Sequence, residues 1–201
     1  MLIMEKRTVQ HFFFDLDNTL TRSKSPILPE HAQILLQLSR KAHIIITSGS
    51  SHANISERFI IGPQFPFISL SQNGNDARMS DGSQLWLRTL SDEQKQAIYN
   101  CIQKMRPYAP PIVSNEYDLI EDRGSQISFS LLGHHEDITK KELFDPEFLK
   151  RKKILSELAS EIEDLHKTYK IDVVMGGTTT LDFYESGRNK GSNILELCSH
   201  M

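Results

Sequence analysis

The sequence predicts an α/β fold, a parallel sheet with helices packed on it, interrupted by an inserted α+β module. Residues 9–14 and 42–46 are short apolar runs ending in small polar residues, with a helical stretch between them, which is the order of a βαβ unit. Residues 88–184 then run helix, two strands, helix, two strands, the order of an α+β module with an antiparallel sheet. At 201 residues the chain can bury one or two proper cores.

The first run is apolar on both faces, so it belongs inside a sheet covered on both sides. It ends in Asp15-Leu16-Asp17, at the carboxyl end of a strand, where open α/β sheets keep their ligand crevices. Two carboxylates this close call for a counter-charge, usually a cation. With Mg2+ between them and a phosphate, one can attack phosphorus while the other handles a proton. An Asx turn is the alternative, and it accounts for one aspartate better than for both.

A polar loop, residues 22–27, leads to a helix over 29–40 that opens on Pro29 and Glu30, with Ile34, Leu35 and Leu38 as its apolar stripe. The second strand runs into Thr47-Ser48-Gly49-Ser50-Ser51. A right-handed crossover puts Thr47 at the same sheet edge as Asp15. There its hydroxyl and the following backbone N–H groups could hold a phosphate oxygen, although a plain helix N-cap explains Thr47 taken alone. A short helix over 52–60, a loop over 63–66 and a strand over 67–70 follow. Gln72-Asn73-Gly74-Asn75 is a hairpin-like turn, and residues 77–79 and 85–87 flank a second turn.

In the inserted module, Ser91-Asp92-Glu93 caps a helix reaching Met105, with Ile98, Ile102 and Met105 facing inward. Residues 117–121 and 126–132 form two strands, and the clean alternation from Gln126 to Leu131 gives their sheet one wet face. A long helix covers 147–167, and its basic opening, residues 150–153, reads as a solvated face. Residues 171–175 and 180–184 form a last hairpin. Arg188 and Lys190 lie in the loop that returns to the first domain, ahead of a helix over 194–198. A lysine there could neutralise charge between a phosphate and the aspartate pair.

Lys and Arg number 23 against 26 acidic residues, for a net charge of −3, and no basic tail or stripe is present. A nucleic-acid partner is therefore not expected. Cys101 and Cys198 make no metal or disulfide framework and read as reduced packing residues of a cytoplasmic protein. Residues 1–4 are too short for a signal peptide, and no apolar run is long enough for a membrane span.

The chain resembles the haloacid-dehalogenase superfamily of phosphatases and phosphomutases. The matching residues are Asp15-Leu16-Asp17-Asn18-Thr19-Leu20-Thr21, Thr47 after its apolar run, Gln72-Asn73-Gly74, and Lys190 within Gly187-Arg188-Asn189-Lys190. Within the superfamily it is similar to the branch with a large α+β cap, which includes the Cof-like sugar phosphatases and the eukaryotic-type phosphomannomutases. Stretches 123–130 and 176–183 resemble the phosphomannomutase cap. The resemblance implies a Rossmann-like core from residues 1–87 and 185–201, incomplete at its C-terminal side, and a cap over 88–184. It implies that Asp15 is the nucleophile and forms an aspartyl-phosphate. Asp17 would be the general acid and then the base, and Thr47 and Lys190 would hold the phosphoryl group. Mg2+ would be bound by Asp15 and the Asp17 carbonyl. Ser48, Gly49, Asn73 and Arg188 would meet the substrate in the core, and Arg123 and Gln126 would meet it from the cap side. The substrate is expected to be a small phosphorylated metabolite, a phosphosugar first.

Three departures stand out, one of them Asn189, which stands where the mutase-like branch often has Asp before the lysine. Asn18 replaces the usual glycine, which Asn tolerates because it accepts φ > 0. The family's fourth motif, a source of closing metal ligands, has no candidate after Lys190, where Glu196 is the only carboxylate side chain. The metal site is thus expected to lack those acids and the first strand to be a sheet edge, a liability that truncation or self-association would explain. A homodimer through that edge or through the cap is one expectation. A non-catalytic ligand-binding domain is the alternative to a phosphatase, with phosphomannomutase activity ranking below both.

Overall fold

The computed structural model describes residues 9–17, 19–22, 25–59 and 65–201, so residues 1–4, Asn18 and the start of the 63–66 loop lie outside the described residues. Contacts divide the chain into two units, Met1–Leu87 with Asn189–Met201, and Arg88–Arg188.

The first unit is a five-stranded sheet in the order β1 (Gln10–Asp15), β2 (Ala42–Thr47), β3 (Ile68–Ser71), β4 (Asp76–Arg78) and β5 (Gln84–Leu87). The first three strands are parallel, and β4 and β5 add to them antiparallel. Helix α1 (Pro29–Ser39) makes the crossover from β1 to β2, and α2 (His52–Arg58) follows β2. Ile44 and Ile46 pack on one face of the sheet with Ala32 and Leu35 of α1 and Ile55 of α2. Ile45, between them, faces the other side with Leu70 and Leu197, the latter on α7 (Lys190–His200). Alternation along the strand therefore buries Ile44, Ile45 and Ile46 alike. Each such side chain is worth about 1.5–3 kcal/mol, which makes β2 the centre of the unit.

β1 is not covered as its composition suggested. Among the described residues it is an edge strand, as expected, and its first half, Gln10 to Phe12, is exposed, while Phe13 and Phe14 are partly buried on opposite faces. Phe12 is 37% exposed. The expected α1 stripe is likewise shifted, with Ile34 turned to solvent and Ala32 buried in its place.

The second unit is a four-stranded antiparallel sheet in the order β6 (Ile120–Asp122), β7 (Gln126–Ser130), β9 (Thr180–Glu185) and β8 (Ile171–Gly176). Ile127, Phe129, Leu181 and Phe183 form one core with Ile98, Ile102 and Met105 of α3 (Asp92–Met105). Helix α3 starts on a complete capping box, in which Ser91 and Gln94 satisfy each other's backbone N–H groups. The long helix expected over 147–167 is two helices, α5 (Leu149–Glu157) and α6 (Ala159–Tyr169), meeting at Leu158. A short α4 (Ile138–Phe144) precedes them without having been anticipated.

The face of β7 expected to be wet is buried. Gln126, Ser128 and Ser130 are at most 1% exposed. Their polar groups are satisfied internally: Gln126 Nε2 donates to Ser128 Oγ at 3.0 Å, the Ser128 hydroxyl donates to Asp182, and Gly133 N donates to Ser130 Oγ at 3.0 Å. Burial pushes the Asp182 carboxyl above its ordinary range, against the Ser128 hydrogen bond and the Arg123 charge. The basic run holds a second surprise. Lys150, Lys152 and Lys153 are exposed, but Arg151 is fully buried. Its Nε donates to Asp145 Oδ2 at 2.8 Å, and its NH1 reaches the carbonyls of Gly176, Gly177 and Thr180, pinning the turn between β8 and β9. Of the cysteines, Cys101 packs in the core, where burial raises its thiol to about 11, and Cys198 is exposed rather than packed. Among the described residues no helix is long and apolar enough to cross a membrane.

Two stability predictions follow from the second unit. Arg151→Met strands the buried Asp145 carboxylate and three carbonyls, so urea unfolding is expected to show a loss of about 3–5 kcal/mol. The Asp182 carboxyl binds its proton more tightly folded than unfolded, so its contribution is present below pH 3.8 and lost as pH rises through the raised folded value. Asp182→Asn is therefore expected to flatten the fall in unfolding midpoint between acidic and neutral pH relative to the wild type.

Candidate functional site

Parallel pairing sets Asp15 opposite Thr47. Paired residues on neighbouring strands point to one face, so the carboxylate and the hydroxyl meet at the carboxyl end of β1 and β2. Thr47 is 6% exposed, and its Oγ1 has no hydrogen-bond partner among the described residues. A buried hydroxyl left in this state costs about 1–3 kcal/mol, a penalty that an incoming oxygen ligand would remove.

Lys190 Nζ donates to Asp15 Oδ1 at 2.8 Å. Both side chains are about two-fifths exposed, 40% and 43%, so this ion pair adds little to stability, about 0–1 kcal/mol. Lys190 is not in a loop but is the first residue of α7, whose N-cap Asn189 accepts from Ser192 N at 3.0 Å. Helix α7 is held by Leu197 in the core and by Asn193, which is fully buried. Asn193 Nδ2 donates to the carbonyl of Asn73 at 2.8 Å.

Asn73 lies in a turn where Gln72, Asn73 and Gly74 all have positive φ, 51°, 58° and 88°. Left-handed backbone costs a non-glycine residue roughly 1–2 kcal/mol, so the turn must be held by its surroundings. Gln72 N donates to Ser50 O at 2.9 Å and Asn73 N to Ser48 O at 2.8 Å, while Ser48 N donates to Leu70 O at 3.0 Å. Trp86 Nε1 donates to Gly74 O at 2.8 Å. The turn thus joins the loop after Thr47 to the helix that carries Lys190. Gly74 is required there, because a Cβ would lie 2.5 Å from the Asn193 Cβ.

Asp17 is held from a different direction. Arg58 NH1, at the end of α2, donates to Asp17 Oδ1 at 2.7 Å, with the two side chains 12% and 35% exposed. At the other end of α2, His52 Nδ1 lies 2.7 Å from Ser69 Oγ, and burial, followed by the Arg78 charge, lowers its pKa.

The first unit accordingly sets Asp15 and Thr47 at one sheet edge with Lys190 on Asp15, ties the backbone of Ser48 to Asn73, and pairs Asp17 with Arg58. Arg123, Gln126 and Arg188 belong to the second unit. There Arg123 NH2 pairs with Glu121 Oε2 at 2.6 Å, Gln126 is fully buried, and Arg188 N donates to Glu185 O at 3.0 Å. Sequence reasoning passed over Arg58 and Asn193. Arg58 is the only Arg or Lys of α2. Asn193 is one turn before Leu197 on the buried side of α7, a polar residue where the helical period calls for an apolar one.

Asp15 and Asp17 offer the hard oxygen donors that Mg2+ takes. Among the described residues no group of three or more His, Cys, Asp or Glu side chains could hold a metal. Two carboxylates agree with an ion that keeps several waters and shares the oxygens of a bound phosphate.

Gly74→Ala is expected to lower stability by about 1–3 kcal/mol, as overpacking does, in a thermal melt. Because the added methyl pushes on Asn193, the loss should be smaller in the Gly74→Ala/Asn193→Gly double variant than the sum of the two single losses.

A family model described as haloacid dehalogenase-like hydrolase matches residues 12–201. The phosphomannomutase of Schizosaccharomyces pombe is 24% identical over 185 residues, which are 88% of this chain and 71% of that protein. A phosphomannomutase of Oryza sativa subsp. indica is 26% identical over 186 residues, 88% of this chain and 72% of its own length. Among solved structures, a haloacid dehalogenase-like hydrolase from Bacteroides thetaiotaomicron superposes with a TM-score of 0.64 at 16% identity, covering 96% of this chain and 77% of that one. The C-terminal domain of a trehalose-6-phosphate phosphatase from C. albicans gives a TM-score of 0.64 at 17% identity, covering 91% of this chain and 59% of that one. With the α/β core and antiparallel cap sheet of those structures, and a family match running almost the whole length, the chain belongs to the haloacid dehalogenase-like hydrolases.

Proposed function

We propose that the chain is a phosphatase that releases inorganic phosphate from small phosphorylated metabolites through an aspartyl-phosphate on Asp15. The observation that carries this reading is the grouping of Asp15, the unpartnered buried hydroxyl of Thr47 and the Lys190 ammonium at one end of two parallel strands. A carboxylate alone would repel a phosphate dianion. With a hydroxyl donor and a cation beside it, it becomes a place where a phosphoryl group can be held and attacked.

In the first step an Asp15 carboxylate oxygen forms a bond to phosphorus, and the bond from phosphorus to the leaving oxygen breaks. The protonated Asp17 carboxyl gives its proton to that oxygen, so the alcohol departs neutral. In the second step the Asp17 carboxylate takes a proton from water as the water oxygen bonds to phosphorus. The bond from phosphorus to Asp15 breaks and inorganic phosphate leaves. Lys190 and Thr47 hold the phosphoryl oxygens through both steps, presented there by α7 and β2. Mg2+, held by Asp15 and the backbone carbonyl of Asp17, would supply further positive charge against the phosphate.

Phosphosugars are the first class to try, because the relatives include phosphomannomutases and a trehalose-6-phosphate phosphatase. Mg2+-dependent release of phosphate from an aryl phosphate and a phosphosugar panel tests the reading. Asp15→Asn is expected to abolish turnover, and Lys190→Ala to lower kcat by about 10²–10³-fold. Turnover that persists in Asp15→Asn would remove the nucleophile assignment. Saturable phosphosugar binding by a folded wild type that releases no phosphate would favour a ligand-binding domain instead.

A further inference from the structure

We propose that Arg58 is the positioning residue that fixes the Asp17 carboxylate for proton transfer, and that its loss slows both chemical steps. This rests on the phosphatase reading above, in which Asp17 is the acid and then the base. Four observations carry it. Arg58 NH1 donates to Asp17 Oδ1 at 2.7 Å, the length of a charge-assisted bond. The Arg58 side chain is only 12% exposed, so water competes for the contact weakly. The carbonyl of Arg58 accepts from Ile27 N at 2.9 Å, so the side chain of this residue holds one end of the loop after Asp15 and its backbone holds the other. Ile27 is itself buried beside Ile55 and Phe59, which anchors that second attachment in the core.

Helix α2 connects this clamp to the phosphate-binding loop. Its N-cap Ser51 accepts from Asn54 N at 3.3 Å, directly after the backbone of Ser48 and Ser50 is tied to the Gln72–Asn73 turn. Its last residue is Arg58, and Ile55 between them is fully buried. One rigid element of roughly 10 Å thus sets the distance between the loop after Thr47 and the carboxylate of Asp17. Asp17 follows the strand end and has no sheet register of its own beyond a single bridge to Thr21. Proton transfer needs the carboxyl within hydrogen-bond reach of the leaving oxygen, and the Arg58 contact restricts its rotamers.

The test is steady-state hydrolysis of an aryl phosphate by the full chain, comparing wild type, Arg58→Ala, Arg58→Gln and Arg58→Lys, with and without millimolar guanidinium chloride. The expected result is a fall in kcat of about 10–100-fold in Arg58→Ala and Arg58→Gln with a smaller change in KM, the size that follows from losing one charge-assisted contact. Guanidinium should recover part of the lost kcat in Arg58→Ala, and Arg58→Lys should retain more activity than Arg58→Gln. A merely structural ion pair would not respond to added guanidinium in a variant that is already folded. Wild-type kcat in Arg58→Ala overturns the proposal. So does a loss that neither guanidinium nor lysine relieves in variants with wild-type circular dichroism. If Arg58→Ala does not fold, the comparison of Arg58→Gln with Arg58→Lys decides on the same terms. A wild type without Asp15-dependent turnover removes the phosphatase reading itself, whereas active wild type with undiminished Arg58 variants removes only this role.

Discussion

The contact between Lys190 and Asp15 joins residues 175 positions apart, and everything else in the first unit is arranged so that it can form. Asp15 is placed by the parallel register of β1 on β2, which the apolar run of β2 anchors. Lys190 is placed by α7, which re-enters the first unit only after the whole of Arg88–Arg188 has been threaded between them. A surface ion pair contributes too little to hold a helix in place, so the dependence runs the other way. Leu197 and Asn193 dock α7, and the docking presents the lysine.

That docking explains why strain is tolerated at Gln72 and Asn73. Consecutive left-handed non-glycine residues are unfavourable in isolation, and here each returns a backbone hydrogen bond to the loop after Thr47. Asn193 completes the arrangement from α7 by donating to the Asn73 carbonyl. Three segments far apart in sequence therefore share one turn. A side chain with both donor and acceptor groups can satisfy such a junction, which is why a polar residue occupies a buried helical position there.

What could be read from the sequence follows from how local each signal is. The βαβ order, the hairpin after β3 and the Ser91 cap of α3 are written in neighbouring residues, and they hold in the structure. The break at Leu158 was not legible, because the apolar period runs on through it. Arg151 looked like part of a solvated run, since nothing near it in sequence tells of the three carbonyls it meets across the module. The face carrying Gln126, Ser128 and Ser130 alternates as a half-wet strand does, and only tertiary contacts bury it. Asp15, Thr47 and Lys190 stood out by type and position. Arg58 did not, because a single arginine at a helix end is common and its partner lies 41 residues away.

The two cations beside the aspartates differ in a way that bears on their use. Lys190 is 40% exposed, on a flexible stem at a helix start, and a point charge of that kind can turn from Asp15 to a phosphate oxygen at little cost. Arg58 is 12% exposed and its backbone is tied to Ile27, so it is built to stay where it is. Under the proposed reaction Asp15 must exchange its partner when phosphate arrives, while Asp17 must keep its position through two proton transfers of opposite direction. A mobile ammonium for the first carboxylate and an anchored guanidinium for the second meet those two requirements, and exchanging their places would meet neither.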